Sequence, residues 1–175
     1  LSMYPQEKAQ CLHQCMIFDS KNKDRKLLGV EYIIGNEDYL SLSKEEKKYW
    51  HPHAYEIMSG QLIAPDMQDQ GDGIFKGLLY TWGKTWHTWP DPSTEFPIGE
   101  PLLMWSANGD GQISQNLIDK RDTQFTISTS KVRERRKSYG FEIPQLPLPK
   151  SINDVGRIWT ATGKDEPIPI KTGSD

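Results

Sequence analysis

A single α+β domain, built mainly on an antiparallel sheet with a few short helices and an extended C-terminal tail, is the fold predicted by this 175-residue sequence. Three observations predict it. Two short apolar runs, residues 14–20 and 27–34, flank a charged turn at 21–26, which is the pattern of a β-hairpin. Capping and periodicity signals mark short helices rather than long ones. Beyond Ser128 the chain turns basic and then Pro-rich, a composition suited to an extended segment.

Residues 1–10 are polar and read as a lead-in. Leu27-Leu28-Gly29-Val30-Glu31-Tyr32-Ile33-Ile34 is the strongest strand of the chain. Ser43-Lys44-Glu45-Glu46 is a capping box, since the serine oxygen can accept from the amide three residues on and Glu46 can reach back. It predicts a helix over 44–50, which Pro52 ends by disfavouring helical geometry at His51. Residues 53–58 then read as a strand, and 65–73 as a loop. Ile74, Phe75, Leu78, Leu79, Trp82 and Trp86 recur at helical spacing and predict a buried amphipathic helix with Gly83 as its cap. A strand follows over 85–89, where Thr and Trp favour a pleated surface. Residues 90–101 form a Pro-rich connection, 102–105 a short buried strand, and 117–121 part of a small helix. The domain is expected over 1–140 and the tail over 141–175. The tail can wrap the domain or a partner, cap a pocket, or exchange between protomers of a homo-oligomer.

Bulk properties exclude some functions. Hydrophobic residues make up 35%, a modest share, but six Trp, seven Tyr and five Phe supply large areas for a core. The net charge of -3 argues against a nucleic-acid binder that works by overall phosphate neutralisation. No run of 18 apolar residues predicts a membrane span. The opening Leu1-Ser2-Met3-Tyr4-Pro5 has no basic region followed by an apolar stretch, so no signal peptide is expected. Cys11 and Cys15 are spaced awkwardly for a structural disulfide and read as reduced thiols of an intracellular protein.

Five segments can carry chemistry. In His51-x-His53-x-x-Glu56, alternate residues of an extended segment share a face, so His51, His53 and Tyr55 project together. Two imidazoles at i and i+2 can ligate one ion, and such ligands suit zinc, iron, nickel or copper. Glu56 falls on the other face unless a bulge re-aims it. The same segment also suits a purely structural junction. Cys11-x-His13-x-Cys15 offers a soft-metal or redox patch but lacks a fourth ligand. Trp82-Gly83-Lys84-Thr85-Trp86-His87-Thr88-Trp89 reads as core packing, or as an aromatic-walled pocket with Lys84 or His87 as its polar element. Residues 106–114 look like the front half of a calcium loop, but Ser106 replaces the first carboxylate and Leu117 the bidentate Glu, so they read as a Gly-rich turn. The basic run 131–137 reads as a solvated helix face, with anionic lipid or an acidic partner as the alternative.

Taken in order, these blocks resemble a known family. Gln14-Cys15-Met16-Ile17-Phe18-Asp19-Ser20 and Leu28-Gly29-Val30-Glu31-Tyr32-Ile33-Ile34 are similar to the opening blocks of the oil body-associated protein family. Trp50-His51-Pro52-His53-Ala54-Tyr55-Glu56 resembles its central Trp-His-x-His-Ala-Tyr-Glu motif. Tyr80, Gly83, Lys84, Trp86, Thr88 and Trp89, then Pro97-Ile98-Gly99-x-Pro101 and Ile127-Ser128-Thr129, follow in the expected order. The match covers residues 14–130.

The resemblance implies a family named for plant proteins associated with lipid droplets, with similar domains in fungi and bacteria and no settled activity. The expectation is a protein, cytoplasmic or peripheral to lipid droplets, that binds a metal ion (zinc or iron) or a small molecule. His51, His53, Glu56 and Tyr55 are the catalytic candidates, with His51 and His53 as metal ligands or proton donors and Glu56 orienting an imidazole. Tyr55, Trp50, Trp82, Lys84, Trp86 and His87 serve as pocket residues. Metal-assisted hydrolysis or oxidation is the least strained reaction class, and whether the protein is an enzyme stays open. The alternative is a non-catalytic lipid-droplet accessory protein.

Overall fold

In the computed structural model, residues 12–65, 67 and 71–141 are described. Cys11 and the expected tail from residue 142 onward lie outside them. The described chain forms one antiparallel sheet of five strands with short helices around it.

Strands β1 (His13–Phe18) and β2 (Leu27–Gly35) form the expected hairpin, with His13 opposite Ile33 and Cys15 opposite Glu31. Helix α1 (Asn36–Ser41) follows directly, where the sequence carries no strong signal. Helix α2 (Lys44–Lys47) is capped by Ser43, whose hydroxyl accepts from the Glu46 amide at 3.1 Å. The Glu46 carboxylate does not reach back to Ser43. It accepts instead from the Trp50 indole at 2.9 Å and pairs with Lys84 at 2.6 Å, so only half of the capping box forms.

Two expectations are corrected next. Only His51–Pro52 is extended (β3); residues Ala54–Met58 form helix α3 rather than a strand. Ala, Glu and Met are good helix formers, and the buried positions Ala54, Tyr55, Ile57 and Met58 follow helical rather than alternating spacing. The second correction is the 74–86 helix. Helix α4 (Gly71–Leu78) stops at Leu78, and Thr81–His87 is strand β4, which replaces the strand expected at 85–89. A spacing of four residues keeps Trp82 and Trp86 on one face of a strand as well as of a helix, so the periodicity did not discriminate. Gly83 is therefore a strand residue and not a helix cap.

β4 is the hub of the sheet. It pairs with β2 along one edge, Glu31 opposite Thr85 and Ile33 opposite Gly83. Its other edge is shared by β3, with His51 opposite Gly83, and by β5 (Leu102–Met104), with Met104 opposite Thr85. Helix α5 (Gln115–Phe125) is longer than the expected 117–121 segment. The start of the basic run lies in α6 (Thr129–Arg136).

The apolar core gathers Ile57 and Met58 of α3 with Phe75 of α4 and Leu79. Arg136 enters it almost fully buried. Its guanidinium lies 4.2 Å from the Phe75 ring centroid and donates to the carbonyls of Ile57 (2.6 Å) and Leu62 (2.8 Å).

Candidate metal centre

Strand alternation divides the candidate residues between two faces of the sheet. Trp82, Lys84 and Trp86 fall on one face of β4; Gly83, Thr85 and His87 fall on the other, with Glu31. On the first face Trp82 stacks on Tyr39 at 3.5 Å between centroids and donates to Asn36 at 3.1 Å. Lys84 sits between the rings of Tyr49 and Trp50, at 5.1 and 5.7 Å, and pairs with Glu46. Trp50, Trp82, Lys84 and Trp86 thus form a packed aromatic layer on the face opposite Glu31, and not a wall around the histidine pair.

On the other face the structure brings His51 and His53 together with Glu31. His51 comes from β3 and His53 is the N-cap of α3. Both imidazoles are 3% exposed, and their Nε2 atoms lie 3.3 and 3.4 Å from the same oxygen, Oε1 of Glu31. Two ligands held about 2.1 Å from one ion at the tetrahedral angle are roughly 3.4 Å apart. Among the described residues these are the only three His, Cys, Asp or Glu groups whose donor atoms lie within reach of a single ion.

Gly83 completes the cradle. An added Cβ would lie within 3.0 Å of Glu31 Oε1, His53 Nε2 and His51 Nε2 at once. The space between the three donors exists because residue 83 has no side chain.

The surrounding hydrogen bonds set the donor state. Thr81 Oγ1 donates its one proton to the Leu78 carbonyl at 2.7 Å, so it must accept from His53 Nδ1 at 2.8 Å. In neutral His53 the proton is then on Nδ1 and the Nε2 lone pair faces Glu31, the tautomer a metal ligand requires. His51 Nδ1 lacks a hydrogen bond of good geometry, although the Met104 carbonyl lies near enough to favour a proton there. Burial pushes the His51 pKa down, which favours the neutral imidazole, and the Glu31 hydrogen bond only partly opposes this. Burial would raise the Glu31 pKa, but when the imidazole Nε2 atoms carry protons their hydrogen bonds to Oε1 hold it well below the usual carboxylate range, and a bound cation would take the place of those protons. Thr85 adds a hydrogen bond to Glu31 at 2.8 Å.

The remaining candidates take other places. Glu56 stands one helical turn on from His53 and faces the centre. The residue keeps part of its surface, but its carboxyl is enclosed, and burial pushes its pKa up to about 7. The hydrogen bond that orients His53 runs to Thr81, the part expected of Glu56. Tyr55 points away and donates to Asp110 at 2.7 Å. His87 shares the face of Glu31 but lies four residues along β4 from Gly83, roughly 13 Å away. Cys15 is free and pairs in register with Glu31, outside the set of three. The 106–114 segment is a self-bonded turn in which Gln112 Oε1 accepts from the amides of Asn108 and Gly109. Sequence reasoning missed Glu31, Thr81 and Gly83. The signal for Glu31 was a lone carboxylate inside the strongest apolar strand.

The model of a family described as "Protein of unknown function (DUF1264)" matches residues 2–140. The chain belongs to this family. Oil body-associated protein 2C of Arabidopsis thaliana is 34% identical over 163 residues, covering 91% of this chain and 66% of its own. Oil body-associated protein 2A of Arabidopsis thaliana is 32% identical over 161 residues, covering 90% and 62%. Oil body-associated protein 1A of Zea mays is 35% identical over 172 residues, covering 85% and 71%. The chain spans about half to two thirds of the length of the first relatives it matches. No solved structure matches it. Among the described residues no helix is long and apolar enough to cross a membrane.

Proposed function

We propose that this family member binds one divalent transition-metal ion through Glu31 Oε1, His51 Nε2 and His53 Nε2. The observation that carries the reading is the convergence of two buried imidazoles and the half-buried Glu31 carboxylate on the space left by Gly83. Two imidazoles and one carboxylate suit zinc or iron(II), and a three-residue set leaves coordination positions for another ligand. Thr81 holds His53 in the donor tautomer and Thr85 steadies the carboxylate. Bound metal would supply Lewis-acid or redox chemistry there. Glu56, the carboxyl nearest neutrality beside the centre, would hold or release a proton.

The test is elemental analysis of protein purified without a His-tag or added metal. Near-stoichiometric zinc or iron, lost in Glu31→Ala and in the His51→Ala/His53→Ala double variant, supports the reading. A metal-free wild type that also fails to take up added zinc or iron(II) rejects it.

A second reading concerns location. The relatives are named for oil bodies, which supports association of this protein with lipid droplets. It is tested by whether the protein floats with isolated droplets in a density gradient and stays with them through a salt wash.

A further inference from the structure

A second cavity, of about 580 Å³, opens between α3, the 108–114 turn and the N-terminal ends of α5 and α6. That volume is within the range of small-molecule sites. Its chemistry differs from that of the histidine centre. Six hydroxyl side chains line it: Tyr55, Ser59, Ser114, Ser128, Thr129 and Ser130. Ile113 and Ile118 add apolar surface.

The charges narrow the ligand. Asp110 is taken up by Arg133, at 2.8 and 3.1 Å, and by the Tyr55 hydroxyl. Asp122 accepts from the Thr129 amide and hydroxyl, both at 2.7 Å, and pairs with Arg121 at 3.0 Å. Asp119 accepts a single exposed hydrogen bond from Gln115 at 2.8 Å and keeps most of its acceptor capacity. These carboxylates do not converge on a point within one ion's reach, so a divalent cation does not fit. Three carboxylates against one lining guanidinium also disfavour an anion, despite the two helix N-termini.

What remains suited to the cavity is a neutral molecule rich in hydroxyls, since each such group can donate to a carboxylate and accept from a serine. We propose that this cavity binds a neutral polyol of monosaccharide size, with Asp119 as an acceptor for its hydroxyls, the lining serine hydroxyls as further partners and Ile118 beneath its C–H face. The proposal is independent of metal at the histidine centre.

The test titrates the full chain with glucose, myo-inositol and glycerol, read by saturation-transfer NMR. Spermidine and inorganic phosphate serve as charged probes. Ile118→Trp fills the cavity, and Asp119→Asn removes the free carboxylate on an exposed helix position where folding is least at risk. Thermal melts establish that each variant folds. The expected result is millimolar or tighter binding of at least one neutral polyol, weakened roughly tenfold or more by each folded variant. The proposal is overturned if none of the three polyols binds, if only spermidine or phosphate binds, or if polyol binding survives the folded variants unchanged.

Discussion

Gly83 lies diagonally across the β2–β4 pair from Glu31, on the same face and so close that a single methyl on it would intrude on the carboxylate oxygen. The same methyl would lie 2.7 Å from His53 Nε2 and 2.8 Å from His51 Nε2. Gly83→Ala is therefore expected to empty the site, with metal content falling from near one per chain to near zero. Overpacking would cost roughly 1–3 kcal/mol. Elemental analysis and a denaturant melt of the variant check both effects. Full metal retention with alanine at 83 would place the donors elsewhere.

Thr81 bonds the Leu78 carbonyl as well, but its hydroxyl touches the metal centre through His53. Thr81→Val removes the acceptor for Nδ1 and frees the imidazole to change tautomer or rotate. Loss of such a supporting hydrogen bond costs about 10–100-fold in metal affinity. Competition against a chromophoric chelator measures it, and Thr81→Ser, which keeps the hydroxyl, is expected to recover most of the loss. Equal affinity in all three proteins would mean that Thr81 does not set the ligand.

How much of this was legible beforehand depends on whether the information is local. The β1–β2 hairpin was readable because two apolar runs flank a charged turn. The Ser43 cap was readable because the signal spans four residues. The nearness of His51 and His53 followed from their spacing, although α3 begins where a strand was expected. The third donor was hidden. Glu31 meets the histidines only through the β2–β4–β3 register, and register across strands 20 and more residues apart is not written locally. Trp82 and Trp86 misled because a spacing of four satisfies both periods, and the turn at Leu79–Tyr80 that separates helix from strand carries neither Gly nor Pro.

Metal should stabilise the fold by mass action. At a free concentration about 1,000 times the dissociation constant, binding adds ~4 kcal/mol. Chelation of the wild type is expected to lower its unfolding midpoint accordingly. Glu31→Gln, which keeps the shape but loses the charged donor, is expected to melt at the same temperature with and without chelator. A chelator effect that persists in Glu31→Gln would move the binding site away from this carboxylate.

Arg136 anchors α6 to the core by donating to two carbonyls from the α3 side. Arg136→Met leaves the Ile57 and Leu62 oxygens without that donor and is expected to destabilise by about 2–4 kcal/mol. Arg136→Lys should not restore stability, since a compact, strongly hydrated ammonium is costlier to bury against the Phe75 ring than the guanidinium, whose carbon lies 4.2 Å from the ring centroid. Urea unfolding of the three proteins decides this. Recovery by lysine would reduce the role of Arg136 to its charge.

Glu56 gives the metal-free protein a characteristic pH dependence. Its carboxyl titrates near 4.5 in the unfolded chain and is pushed up to about 7 in the fold by burial, with the Glu31 charge adding to the effect. The folded state therefore prefers the protonated acid. Its contribution to stability is fully present below about 4.5 and is lost as the pH rises through about 7. The full span corresponds to at most ~3 kcal/mol, and the partial exposure of the residue reduces it to about 1–2 kcal/mol. Glu56→Gln replaces the acid with a neutral group of the same shape. Metal-free wild type and variant should have nearly equal stability at the acid end. The variant should gain as the pH approaches neutrality, and the difference should level off above about 7. Urea melts across this range measure the difference directly. Curves that stay parallel would mean that Glu56 titrates in the fold as it does in the unfolded chain, and that the enclosure of its carboxyl does not hold a proton beside the histidine centre.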